Sequence, residues 1–160
     1  ALFSYVSDTP AQVDIVVCDG RLALAQAPDD RYGMIIVDAF SSDAIPVHLL
    51  TSEAVELYRS KLAPRGLLVF HISNRHMDLE PVLAGIAQRQ GLTAAVRHDG
   101  GDPAVGKSPS SWAVLAEASE TLAPLTANPR WRQLTVEPGH ELTWTDDFSD
   151  IVRVIDWNWS

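Results

Sequence analysis

The 160 residues contain one cysteine, Cys18, so an internal disulfide is impossible and a cysteine-based zinc cluster is excluded. The five histidines, at 48, 71, 76, 98 and 140, fall at no metal-ligand spacing, HExxH included, and no metal is expected. Basic residues are scarce. Twelve Lys and Arg against 21 Asp and Glu leave a net charge of −9, which argues against nucleic acid, whose phosphates demand a basic face. An acidic surface attracts cations instead, small polyamines among them. Long apolar runs are missing as well. Stretches such as residues 67–70 (LLVF) fall far short of the roughly twenty residues that span a bilayer. The chain opens on no basic, apolar, small-residue leader, so a cytoplasmic location is the expectation.

What is present is the alternation of a mixed fold. There is no internal repeat, and the length fits one domain over residues 1–160. Short β-rich runs alternate with helical patterns, which predicts an α/β, Rossmann-like, doubly wound and mostly parallel sheet. Residues 13–18 (VDIVVC) read as a first strand ending at Asp19-Gly20, followed by a short helix over 21–27. Residues 33–37 (GMIIV) read as a strand apolar on both faces, ending at Asp38. Residues 39–50 carry turn chemistry and read as a loop. Thr51 is placed to cap a helix over 52–62, with Val55, Tyr58 and Leu62 on one face.

Residues 67–72 (LLVFHI) predict another buried strand. A helix over 79–90 follows, with Asp78 as cap, Pro81 in its first turn, and Gly91 just past its end. Strands over 93–96 and 111–116 flank a Gly/Pro/Ser loop. A terminal helix capped by Thr145 or Asp146 is expected to align Phe148, Ile151, Val152 and Ile155. The tryptophans read as packing residues, and His71 and His76 as structural or hydrogen-bonding groups.

In open α/β sheets ligands bind beyond the carboxyl ends of the strands. Asp19 and Asp38, each closing a predicted strand, are therefore candidate site residues, against the plain alternative that each caps the next turn or helix. A second pattern, Gly101-Asp-Pro-Ala-Val-Gly106-Lys107-Ser108, satisfies the GxxxxGK[ST] expression for a phosphate-cradling loop. A phosphate loop must open a helix, whereas Pro109-Ser110-Ser111 here leads into β-like SWAVLA, so the match is read as coincidental.

The segments VDIVVCDGRLAL, YGMIIVDAFSSDAIPVHLLT, LLVFHISNRHMDLEPVL and WTDDFSD together resemble the spermidine-synthase-like family of bacteria, some of whose members are fused to a membrane-embedded half. The resemblance implies a Rossmann-like transferase using decarboxylated S-adenosylmethionine as co-substrate, or S-adenosylmethionine itself, with a polyamine or other small amine as acceptor. It puts Asp19 and Gly20 where the family holds the adenine, Asp38 at the catalytic aspartate, and Asp43 near the second aspartate of the family's loop. Asp43 stands five residues after Asp38, whereas spermidine synthases carry a tight Asp-Ser-Ser-Asp. Asn74 is the matching substrate-side polar group.

The chemistry suits Asp38. A primary amine is protonated at neutral pH, with a pKa near ~10 by analogy with lysine, and must lose a proton before it can attack a carbon beside a sulfonium. Two other readings stay open: a small-molecule methyltransferase on the same fold, and a non-catalytic remnant acting as a binding domain. No Asn-Pro-Pro-Tyr element of amino-methylating enzymes is present. Before residue 13 no strand with a glycine-rich turn is found, so the sheet is expected to lack its first two strands and the isolated chain to be inactive. The sheet order implied by the resemblance, 3-2-1-4-5-7-6, then leaves the strand over 33–37 with an open edge. Either the strand over 13–18 pairs with it directly, or two chains form a homodimer across it.

Overall fold

The structure is a computed structural model and describes residues 4–39, 46–74, 76–137 and 140–155. In chain order the elements are α1 (Tyr5–Asp8), α2 (Gly20–Gln26), β1 (Tyr32–Val37), α3 (Ser52–Lys61), β2 (Leu62–His71), α4 (Glu80–Gln90), β3 (Thr93–Asp99), β4 (Ser110–Ala116), α5 (Ser119–Thr126) and β5 (Arg132–Gln133). Short 3-10 turns occupy Val47–Leu49, Pro103–Val105 and Val152–Val154.

The strands form one sheet in the order β1-β2-β4-β3-β5. Among the described residues only β1 and β2 pair in parallel; β2 with β4, β4 with β3, and β3 with β5 are antiparallel pairs. The expected mostly parallel ladder is therefore corrected, and the reason is positional. β1, β2 and β3 all run one way, but the reversed β4 is inserted between β2 and β3, so it turns both of its contacts antiparallel. The order reproduces the 4-5-7-6 half of the expected sheet.

Helices cover both faces, as a doubly wound sheet requires. On one face Val55 and Tyr58 of α3 and Val82, Leu83 and Ile86 of α4 are buried against Leu68, Phe70 and Val96. On the other, Leu122 of α5 packs on Ala95, Val114 and Ala116. Each fully buried Leu, Ile or Phe is worth about 1.5–3 kcal/mol of transfer free energy.

The local signals explain the helices. Thr51 Oγ1 accepts from Ala54 N at 3.2 Å and starts α3. Gly91 ends α4 at φ +66°, a left-handed position that glycine takes without strain, and its N–H returns to Ala87 and Gln88. Asp78 accepts from Glu80 N at 3.0 Å, one residue outside its expected capping place. Gly85 serves packing: a Cβ there would overlap the Leu142 carbonyl, so the chain at 142–144 lies directly on α4 and buries Trp144 completely.

Three expectations fail. Residues 13–18 form no strand and do not pair with β1; they take no regular secondary structure, with Ile15 73% and Val17 95% exposed. A strand exists only where a neighbour takes its backbone hydrogen bonds, and none of the described residues does so here. The terminal helix is absent over 145–151. Thr145 Oγ1 instead accepts from Phe148 N in a tight turn, and only Val152–Val154 coil, as a 3-10 turn with Val154 buried. Conversely α5 went unforeseen, because Pro124 inside it masks the helical pattern. The outer edge of β1 has no strand partner among the described residues, and Met34 and Ile36 on its α5-side face are half exposed.

Candidate functional site

Because β1, β2 and β3 run the same way, their carboxyl ends lie along one edge of the sheet. Register decides which side chains meet there. Val37 stands opposite Phe70, and His71 opposite Trp112, so Asp38, His71 and Trp112 follow one another across three adjacent strands. Neighbours in such a row point to the same face.

The contacts bear this out. His71 Nδ1 lies 2.7 Å from Asp38 Oδ1, and His71 Nε2 lies 2.6 Å from Ser73 Oγ. The imidazole stacks on the Trp112 indole with centroids 4.6 Å apart and planes 21° from parallel. Ser111 N donates to Ser73 Oγ at 2.8 Å, anchoring the string to β4. His71 is mostly covered, its side chain 23% exposed, whereas that of Asp38 is 55% exposed. A carboxylate that faces solvent yet is held by a covered partner is available to a cationic ligand. Among the described residues its second oxygen, Oδ2, has no partner.

Asp19 sits elsewhere. It caps α2, with Oδ1 accepting from Leu22 N at 3.0 Å, and Oδ2 lies 3.5 Å from His48 Nε2. The Leu22 N–H holds its carboxyl below the usual range. Gly20 opens α2, and a Cβ there would meet nothing within 4 Å, so no close backbone approach needs this glycine. Asp19 leaves one carboxylate oxygen toward His48 and solvent, and these two residues alone form no cradle for a nucleoside-sized ligand.

Beside α2 lies an open cavity of about 460 Å³ lined by Arg21, His48, Thr51, Asp146 and Asp147 among others. Arg21 grips Asp146 with its two terminal guanidinium nitrogens, at 2.7 and 2.6 Å, and Thr51 Oγ1 donates to the same carboxylate at 2.7 Å. The Arg21 and Thr51 hydrogen bonds hold the Asp146 carboxyl down at about 2. Residues 46–50 contribute to both places: Val47 and His48 line this cavity, while Pro46, Leu49 and Leu50 line a small apolar pocket with Val37, Phe70 and His71.

The predicted residues thus fall into two groups. Asp38 joins His71 and Ser73; Asp19 and Gly20 join His48 and Arg21. Asn74 follows Ser73, but its Oδ1 accepts from His76 N at 2.8 Å and Met77 N at 3.0 Å, so its carbonyl builds a turn. Asp43 lies outside the described residues. His71, read from the sequence as a structural or hydrogen-bonding group, is one, but its tie to Asp38 was not foreseen. The signal was there, since the histidine ends the strand after the Asp38 strand, where parallel pairing makes it the lateral neighbour.

The phosphate-loop look-alike is a hairpin connection. Asp102 and Lys107 exchange backbone hydrogen bonds at 2.9 Å each, and Lys107 Nζ pairs with Asp99 at 2.6 Å. Lys107 and the Gly101 N–H hold the Asp99 carboxyl at about 2. Among the described residues no three His, Cys, Asp or Glu side chains gather as a metal site, and no helix is long and apolar enough to cross a membrane.

The architecture, with side chains gathered at the carboxyl edge of the sheet, is that of a Rossmann-like α/β domain. Known proteins agree with this. A crystal structure of a probable spermidine synthase from Corynebacterium glutamicum superposes with a TM-score of 0.53 at 19% identity, over 84% of this chain and 55% of that one. MnmC2 from Aquifex aeolicus matches at a TM-score of 0.43 and 14% identity over 71% of this chain and 35% of that one, too remote to bear on the argument. In sequence, a probable polyamine aminopropyl transferase of Bifidobacterium longum is 35% identical over 66 residues, 41% of this chain and 15% of that protein. No family model matches. The chain is spermidine-synthase-like in fold and in that stretch of sequence, and it spans only a part of each relative.

Proposed function

We propose that this domain serves aminopropyl transfer from decarboxylated S-adenosylmethionine to a primary amine such as putrescine, with Asp38 as the catalytic residue. The observation that carries the reading is the exposed Asp38 carboxylate, held by His71 at the carboxyl edge of the sheet. The likeness to a protein described as a probable polyamine aminopropyl transferase supports the choice of group transferred.

Asp38 binds the acceptor's ammonium through Oδ2 and takes one proton from it. The amine lone pair is then free to form a C–N bond with the carbon beside the sulfonium. The C–S bond breaks, its electron pair stays on sulfur as a neutral thioether, and the positive charge passes to the product's nitrogen. Proton removal by a positioned carboxylate contributes about 10²–10⁴-fold. No covalent intermediate is needed, because the sulfonium is already a leaving group. Asp19 is assigned to the adenine amino group through Oδ2. The 160 residues alone are proposed to hold the co-substrate weakly, since the described residues around Asp19 offer a contact at one edge and no cradle.

The test is product analysis by mass spectrometry on the complete natural polypeptide, supplied with putrescine and decarboxylated S-adenosylmethionine. Spermidine is expected. A methylated amine from S-adenosylmethionine with no spermidine would replace this reading by methyl transfer. Asp19→Ala is expected to weaken co-substrate binding in calorimetry, and unaltered affinity would detach Asp19 from the site.

A further inference from the structure

We infer that Asp38, His71 and Ser73 work as one hydrogen-bonded unit in which His71 is a positioning residue, fixing the Asp38 carboxylate so that Oδ2 faces the incoming ammonium. The role in turnover rests on the aminopropyl-transfer reading above; the unit itself rests on geometry alone.

Proton bookkeeping sets the direction of the string. An ionised carboxylate only accepts hydrogen bonds, so at 2.7 Å the His71 Nδ1 must carry the proton and donate to Asp38 Oδ1. Neutral imidazole then has Nε2 as an acceptor, and the Ser73 hydroxyl 2.6 Å away donates to it. The Ser73 oxygen keeps a lone pair for the Ser111 N–H at 2.8 Å. Each donor meets an acceptor, from the backbone of β4 through Ser73 and His71 to Asp38. The Ser111 N–H can only donate and the ionised Asp38 can only accept, so both ends are fixed, and the middle link runs from Ser73 to His71 as long as the ring is neutral.

The string has the residue types of an acyl-transfer triad, but it is fastened the other way. Ser73 is held to the sheet by Ser111 N, and the exposed end is the carboxylate. What the string presents to a ligand is therefore a base with a fixed lone-pair direction. Stacking on Trp112 removes the remaining freedom, because the ring cannot turn about its long axis without losing the 21° parallel contact. An exposed Asp on a strand end samples several rotamers; one tied at Oδ1 to a pinned imidazole keeps Oδ2 pointing in a single direction. Such preorganisation lowers the cost of aligning the amine for in-line attack.

Two measurements separate the unit from the reaction. The first is long-range ¹H–¹⁵N spectroscopy of the histidine rings in this chain at neutral pH. His71 is expected as the Nδ1–H tautomer, with Asp38→Ala shifting it toward the Nε2–H form that free imidazole side chains favour. An Nε2–H tautomer in the unaltered chain, or spectra indifferent to Asp38→Ala, overturns the unit whatever the protein catalyses.

The second is kinetics on the complete natural polypeptide, with thermal melts to confirm folding. His71→Phe retains an aromatic ring beside Trp112 but has no N–H, and is expected to lower kcat about tenfold with little change in the KM for co-substrate. His71→Asn, whose amide nitrogen reaches the place of Nδ1, is expected to recover most of that loss. Asp38→Asn combined with His71→Phe is expected to be no slower than Asp38→Asn alone, because residues of one unit do not contribute twice. Multiplying losses, or equal damage from Phe and Asn, overturn the positioning role while leaving aminopropyl transfer standing. Absence of any aminopropyl product removes the reaction and leaves the spectra to judge the unit.

Discussion

Replacing Asp146 by asparagine tests how the C-terminal segment is held. The carboxylate receives Arg21 twice and Thr51 once, while its own backbone N–H donates to Glu53 Oε2 at 3.0 Å and the nearby Trp144 carbonyl accepts from Ser52 N at 2.8 Å. Asparagine keeps the shape but loses the charge, and its NH₂ meets a guanidinium that also only donates. The carboxyl is held at about 2 against an ordinary value of 3.8, a difference that would convert to roughly 2.5 kcal/mol if none were screened. The Asp146 side chain is 43% exposed, so solvent screening reduces the expected effect to about 1 kcal/mol.

The sign follows from linkage. The folded-state value lies below the unfolded one, so this stability is complete above pH ~4 and is lost as pH falls through about 2. Urea unfolding across that range should show Asp146→Asn less stable than the unaltered chain by about 1 kcal/mol at pH 7, with the two curves converging near pH 2. Carboxyls such as Asp99 titrate identically in both proteins and cancel. A gap of the same size at pH 7 and pH 2, or no gap at all, would refute the ion-pair account.

Two further outcomes follow from packing and loop geometry. Gly85→Ala gains helix propensity but drives a methyl group into the Leu142 carbonyl, and the overlap should win, with a net loss of about 1–3 kcal/mol in denaturant unfolding; equal or greater stability would show that the 142–144 segment does not lie on α4. Lys107→Ala should leave nucleotide affinity unchanged in Mg²⁺-ATP calorimetry, because Lys107 is engaged by Asp99 in a hairpin loop; tight binding abolished by the substitution would restore the phosphate-loop reading.

Elements with their own punctuation were legible in the sequence. α3 shows its Thr51 cap and its Val55–Tyr58 stripe, and α4 shows Pro81 in its first turn and Gly91 past its end. Where identity depends on a distant partner, local reading failed. Residues 13–18 have the composition of a strand but no neighbour to pair with, and residues 145–151 have a helical stripe but give Asp146 to Arg21 and Thr51 instead. The reversal of β4 between β2 and β3 is likewise invisible to pattern, because an antiparallel insertion and a parallel neighbour share the same apolar run. For the site, Asp38 could be picked out as a strand-end carboxylate. Its tie to His71 requires the β1–β2 register, which no spacing along the chain reveals.

The central claim is that Asp38 takes the acceptor's proton in an aminopropyl transfer. Its most direct test is the rate of spermidine formation by the complete natural polypeptide, with and without Asp38→Asn, alongside thermal melts of both. The account predicts a loss of at least roughly tenfold in turnover with nearly unchanged stability, since the carboxylate faces solvent and not the core. Undiminished spermidine formation by Asp38→Asn would contradict it and reduce Asp38 to a partner that merely orients His71.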